Sequence, residues 1–291
     1  MNGKIIKGIA GFYMVSCGGA VYTCRARGIF RREGLKPLVG DLVRFEMAET
    51  SDSESNIEEI YPRKNELIRP AVSNVDLALI VLAVKKPDPQ LYLLDKYLVS
   101  MAQRNIPAAI LWNKIDLDEE DVLPEYAGIY DRAGYRTMFS STVDKRGISG
   151  LKEFLKGKTT VLAGPSGAGK STLTNLICPE ANMVTGDISR KIERGKQTTR
   201  HSELFRLGGE TYLCDTPGFT SVFLENSTED DIRFFFPEIG RLEGACHYSG
   251  CRHLSEPGCA VREAAANGTI SASRYESYRK IMSEIKEKRK Y

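Results

Sequence analysis

Few folds can accommodate LAGPSGAGKSTLTN, the run from Leu162 to Asn175. A glycine-rich turn between an apolar strand and a helix is how α/β proteins wrap backbone amides around phosphate. Gly164, Pro165, Ser166, Gly167, Ala168, Gly169, Lys170 and Ser171 complete the phosphate-loop pattern, and Thr172 continues into the helix. The glycines let the amides curl inward. Lys170 can reach the β- and γ-phosphates, and the Ser171 hydroxyl can ligate Mg²⁺. TTVLA before the loop and STLTNLI after it place a positive helix end at the anion.

A phosphate loop does not name a base, but WNKID, from Trp112 to Asp116, does. The Asp116 carboxylate can accept from both N1–H and the exocyclic amine of guanine, a pair of donors that adenine lacks. The Lys114 stem can cover the base plane, and the Asn113 amide can tie this loop to the phosphate loop. Ser140 and Ser141 follow the strand YRTMF and would complete the base pocket. Downstream, Asp215-Thr-Pro-Gly218 ends the strand TYLC, with an aspartate for Mg²⁺ and a glycine amide for the γ-phosphate. In ERGKQTTRH, Glu193 to His201, either Thr198 or Thr199 can close over Mg²⁺ when the γ-phosphate is present. These parts occur in the order base loop, phosphate loop, switches. That is a circular permutation of the usual order.

Periodicity divides the chain into three expected segments. Residues 1–65 read as short strands with glycine turns, expected to close an OB-type barrel or another small barrel. Residues 66–223 alternate apolar runs with helical patterns. DLALIVLAV, PAAILW, YRTMFSS, KTTVLAG and ETYLCDTPG read as strands of a parallel sheet, with LYLLDKYLVSMAQRN as a helix between the first two. Residues 224–291 are mostly helical in pattern. Ser227 and Thr228, with Asp230 and Asp231 beyond them, form a capping arrangement.

The net charge of +3 in 291 residues names no partner, but its distribution is uneven. Residues 25–36 carry five basic side chains against one acid, with Phe30 among them as a candidate stacking ring. From Arg274 onward there are seven bases and three acids. No secretory leader and no run of about 18 apolar residues is visible, so cytoplasm is expected and a membrane is not. The odd cysteine count, seven, argues against a disulfide framework. Cys17, Cys24, Cys178 and Cys214 are expected to be small buried side chains. Cys246, Cys251, His253 and Cys259 offer three thiolates and one imidazole, a closed tetrahedral set for one structural Zn²⁺ per chain. His247 is the rival imidazole, although it adjoins Cys246.

These motifs, together with NELIRP before NVD, the DTPGF run and the cysteine module, make the chain resemble the bacterial ribosome small-subunit-dependent GTPase A family. The resemblance covers essentially the whole chain. It implies an N-terminal OB-type β-barrel, a central circularly permuted P-loop α/β GTPase domain and a C-terminal, mostly helical zinc-binding domain. It also implies GTP as substrate, Mg²⁺, and the small ribosomal subunit and its rRNA as partners late in subunit maturation. Nothing in the sequence points to an obligate oligomer. The family commonly has a histidine before the switch threonines, where this chain has Gln197. Phe219, after the Asp-x-x-Gly segment, cannot orient water, so Gln197 becomes the expected water-orienting residue. Two other readings remain: a GTP-gated RNA-binding module whose hydrolysis is incidental, and a non-GTP enzyme built on the phosphate loop, for which Asp116 would have to be irrelevant.

Overall fold

The computed structural model describes residues 1–32, 34–48, 55–181, 202–214 and 227–288. Gln197, Thr198, Thr199, Asp215, Gly218 and Phe219 lie outside the described residues.

The first five strands are β1 (Asn2–Ile9), β2 (Phe12–Cys17), β3 (Ala20–Ala26), β4 (Leu42–Glu46) and β5 (Ser55–Ile60). They close a barrel in the order β1-β2-β3-β5-β4. β1 to β3 form an antiparallel meander, β5 joins β3 in parallel, and β4 closes antiparallel against β5 and β1. Alternation drives the closure: β4 buries Val43 and Phe45 and exposes the residues between and beside them. Ile5, Val15, Cys24 and Ile57 complete the interior. Phe30 corrects an expectation. It lies in α1 (Gly28–Arg32) and is only 5% exposed, so it packs inward and offers no stacking face. A short hairpin follows, β6 (Glu66–Leu67) with β7 (Val72–Ser73). It is held to the barrel through Asp41. That buried carboxylate accepts from Arg63 Nε at 2.7 Å, Ser73 Oγ at 2.6 Å and the Leu38 amide at 2.7 Å.

The second sheet has six strands: β8 (Leu77–Ala83), β9 (Ala108–Asn113), β10 (Arg136–Ser140), β11 (Thr159–Ala163), β12 (Leu204–Gly208) and β13 (Thr211–Cys214). Their order is β10-β9-β8-β11-β13-β12. β8, β11 and β13 are buried at every position, as strands covered on both faces must be. The helices α2 (Leu91–Ala102), α3 (Leu123–Ala133), α4 (Ile148–Leu155) and α5 (Lys170–Ile177) alternate with them in sequence. Every expected strand is present. The edge strand β12 was not expected, and it runs antiparallel to β13 rather than parallel. It returns through Gly208-Gly209 and is buried at alternate residues at most, so it carries no continuous apolar run to announce it.

The chain divides into two compact units. One comprises Met1–Ala78, Ile148–Ala163 and Gly169–Phe219, the other Leu79–Gly147, Gly164–Ala168 and Thr220–Tyr291. Within the first, Lys4 Nζ donates to Thr159 Oγ1 at 2.8 Å and lies 4.6 Å from the Tyr212 ring centroid. Tyr212 in turn donates to Ser16 Oγ at 3.2 Å, and Lys7 pairs with Glu203 at 2.7 Å.

Within the second unit, α6 (Glu229–Ile232), α7 (Pro237–Gly240), α8 (Ala260–Ala266) and α9 (Ala272–Lys288) build a helical core with Ile232, Phe236, Ile239, Tyr278 and Ile281 at its centre. Thr228 is the cap of α6 and forms a full capping box with Asp231. Ser227 instead receives the Gln103 amide at 2.7 Å. Arg274, the first base of the basic C-terminal stretch, is 1% exposed and bonds Asp95 at 2.6 Å and Glu238 at 2.7 Å. Among the described residues no helix is long and apolar enough to cross a membrane. Cys24, Cys178 and Cys214 are buried as expected, while Cys17 is only partly so.

Candidate functional site

Asn113 ends β9 at the carboxyl edge of the sheet, where ligands bind in such folds. It is fully buried. Its Nδ2 donates to the Ala168 carbonyl at 2.9 Å, and its Oδ1 accepts from Ser140 Oγ at 3.0 Å. The base loop and the phosphate loop are therefore joined by one side chain. Lys114 follows in a left-handed conformation, φ 62°, which turns the chain sharply away from the strand. Its ammonium is held by the Lys86 carbonyl, and partial burial lowers its pKa. Asp116 is exposed, and one of its oxygens accepts from Ser141 Oγ. Ser141 is itself anchored by the Val143 amide at 3.1 Å. Ser140 and Ser141 thus brace Asn113 and Asp116, both from buried positions. Gly147 completes this support. A Cβ there, at φ 74°, would come within 1.8 Å of the Phe139 carbonyl oxygen.

The phosphate loop leaves β11 at Gly164, where φ is 130° and a Cβ would meet the Val81 carbonyl oxygen at 2.1 Å. Gly167 and Gly169 also have positive φ, 81° and 90°. This geometry turns successive amides to one side, and only glycine adopts it without strain. Pro165, Ser166 and Gly167 arch over to the buried Ala168. Gly169 precedes the first turn of α5, which contains Lys170, Ser171 and Thr172. That turn has no side-chain cap and no acidic residue, so it repels no anion. Within the second unit, the glycine cradle of Gly164–Ala168 and the exposed Asp116 carboxylate have the chemistry for the phosphates and base of a guanine nucleotide.

The second candidate site lies in the helical tail. Cys246, Cys251, His253 and Cys259 bring one ligand atom each within 4.8 Å of one another. His253 Nδ1 lies 3.5 Å from Cys246 Sγ and 3.4 Å from Cys259 Sγ, and those two sulfurs are 3.9 Å apart. A tetrahedral Zn–S, Zn–N site would space its ligands about 3.5–3.8 Å apart, so the donor set fits such an ion in number, chemistry and spacing. Burial, with neighbouring thiols, raises the Cys251 pKa, and burial beside Arg233 lowers that of His253. A dication would reverse the thiol penalty and accept the neutral imidazole. His247 is exposed, stacks edge-on against Tyr248, and is not in the cluster.

Sequence reasoning missed the supports of this loop. Tyr275 donates to the His253 carbonyl and Tyr278 to the Arg252 carbonyl, each at 2.7 Å. Glu256 collects the amides of Arg252, Leu254 and Ser255 at 2.9 to 3.0 Å. A lone acid between His253 and Cys259 was the one available signal.

Comparisons with known proteins agree along the whole length. The RsgA GTPase model matches residues 60–225 and the RsgA N-terminal domain model residues 2–54. A relative from Agathobacter rectalis, named small ribosomal subunit biogenesis GTPase RsgA, is 46% identical and covers 100% of both chains. One of the same name from Alkaliphilus metalliredigens is 45% identical over 100% of this chain and 99% of its own. Among solved structures, YloQ, described as a circularly permuted GTPase, aligns with TM-score 0.84 at 37% identity over 99% of this chain and 95% of its own. YjeQ from Thermotoga maritima aligns with TM-score 0.86 at 35% identity over 98% of each.

Proposed function

Because the chain belongs to the RsgA GTPase family, we propose that it hydrolyses GTP in the biogenesis of the small ribosomal subunit, the role its relatives' name states. The observation that carries this reading is the Asn113–Ala168 bond, which unites a guanine-selective loop with a phosphate cradle. Asp116 accepts the guanine edge, and Ser140 and Ser141 hold the two base-loop side chains in place. The backbone amides of Ser166, Gly167, Ala168 and Gly169 cradle the phosphates, on a turn that Gly164 and Pro165 shape. Lys170 neutralises the β- and γ-phosphates, and Thr172 extends the amide row.

Ser171, Thr199 and Asp215 would hold Mg²⁺, with Thr198 the alternative to Thr199. The ion supplies charge neutralisation on the phosphates. Gly218 offers its amide to the γ-phosphate. Gln197 orients the attacking water, because Phe219 cannot. Cys246, Cys251, His253 and Cys259 would hold a structural Zn²⁺, which would fix their loop against the helical core. On this reading residues 1–65 form the RNA-binding barrel, 66–223 the GTPase domain and 224–291 the zinc domain. The chain works singly, in the cytoplasm, against the subunit's rRNA.

The test is GTP turnover by the chain alone, with purified small subunits, and with large subunits. Stimulation by the small subunit alone is expected. Equal or absent stimulation would refute the ribosomal reading and leave a guanine-nucleotide switch.

A further inference from the structure

The stretches NELIRP and NVD lie outside the nucleotide motifs, yet their polar side chains are closely engaged within the first unit. Asn65 closes around Val75: its Oδ1 accepts the Val75 amide at 2.8 Å, and its Nδ2 donates to the Val75 carbonyl at 2.9 Å. Asn74 Oδ1 accepts the Lys64 amide at 3.0 Å, and Asn74 Nδ2 donates to the Gly40 carbonyl at 3.1 Å. Asp76 then ties the chain to the sheet. Its amide donates to the Thr159 carbonyl and its Oδ2 accepts the Thr159 amide, each at 2.8 Å, while Lys64 Nζ donates to its Oδ1. The segment between barrel and sheet is a strut and not a free linker.

Thr159 puts a polar side chain at the start of β11, a strand buried at every position. Lys4, from barrel strand β1, accounts for it. Lys4 Nζ donates to Thr159 Oγ1 at 2.8 Å, lies 4.6 Å from the Tyr212 ring centroid, and has Asp76 and Glu210 as its nearby opposite charges. Thr159 of β11 and Tyr212 of β13 are register partners. One barrel ammonium therefore engages both strands at facing positions. Burial lowers the Lys4 pKa, a desolvation penalty that an apolar side chain would escape. What the lysine adds is direction. The strands it joins are the two that lead to phosphate-binding motifs: β11 runs into Gly164, and β13 ends one residue before Asp215.

We propose that Lys4 is a positioning residue for GTP hydrolysis, a barrel side chain that sets β11 against β13 and so aligns the two segments these strands carry. The inference rests on the GTP-hydrolysing reading above. Close-packed interiors transmit strain, so a shift at Thr159 is carried along the five residues of β11.

The test is steady-state GTP turnover by the full chain alone, with fluorescent-GDP affinity and the urea midpoint measured on each variant. Lys4→Met keeps the stem and removes the ammonium, and Thr159→Val removes the acceptor at constant shape. Each should lower kcat roughly 10- to 100-fold, the effect of a misplacement of about 1 Å, with KM and GDP affinity unchanged. The double variant should lose no more than the larger single loss, because both delete one bond. Lys4→Arg, which keeps a cationic donor, should retain most of the rate. Lys7→Met breaks another ion pair of β1, with Glu203, and should leave kcat unchanged. A lower urea midpoint with unchanged kcat in Lys4→Met would make Lys4 a structural clamp only and overturn the proposal. If Lys4→Met does not fold, unchanged kcat in Thr159→Val overturns it equally. Additive losses in the double variant would also refute it. A parent that hydrolyses no GTP would sink the GTPase reading and this inference with it, whereas turnover by the parent with unaltered variants sinks this inference alone.

Discussion

Asn113 uses both ends of its amide, one on Ala168 and one on Ser140, without meeting solvent. Asn113→Ala would strand a buried carbonyl and a buried hydroxyl. Each such orphan costs about 1–3 kcal/mol, and since the base loop loses its tie to the phosphate loop, guanine-nucleotide affinity should fall at least tenfold. A fluorescent-GDP titration reads this directly, and unchanged affinity would refute the linking role.

Glu256 makes a different kind of point. Burial alone would raise its pKa, but the amides of Arg252, Glu256, Leu254 and Ser255 outweigh it and hold the pKa at about 2. Its folded-state pKa is depressed from 4.5, so it contributes stability that is present above pH 4.5 and is lost as pH falls toward 2. Glu256→Gln should therefore lower the melting temperature at neutral pH. The gap from the parent should narrow through that acid window, as a calorimetric pH series would show.

Among the elements, α6 depends most on its first residue. It is four residues long, too short to persist on propensity. Thr228 and Asp231 satisfy its leading amides reciprocally. Thr228→Ala should cost about 1 kcal/mol, seen as an earlier urea midpoint with unchanged slope, whereas Ser227→Ala should do less because Ser227 serves Gln103 instead. The long α9 has a different task from the one its charge pattern implies. Its tyrosines 275 and 278 hold the carbonyls of the ligand loop, so it works as a brace as much as a basic surface.

Taken across the fold, Arg274 is the point where the helical unit closes. Its guanidinium joins Asp95 of α2 to Glu238 of α7 and lies against the rings of Tyr130, Tyr135 and Phe236. Arg274→Leu would leave two buried carboxylates without a counter-charge, a loss of about 3–5 kcal/mol for a broken buried pair. Chemical denaturation should show it. A loss under 1 kcal/mol would mean that the carboxylates take up protons or find other partners. Arg279, exposed on the same helix, should tolerate the same substitution.

The motifs were legible because their chemistry is local. A glycine-rich turn between strand and helix, an Asn-Lys-x-Asp tetrapeptide and a Cys–Cys–His–Cys spacing each carry their geometry within a few residues. Continuous apolar runs likewise announced β8 and β9, since a strand buried on both faces is mostly apolar. What remained hidden depends on which residues meet across long separations. Asn113 and Ala168 stand 55 positions apart, and Asp95 and Arg274 stand 179 apart. Burial of Phe30 and Arg274 inside basic stretches and the antiparallel edge β12 follow from packing. Charge and spacing do not specify packing, because the same side chain is solvated or buried according to what the fold brings against it.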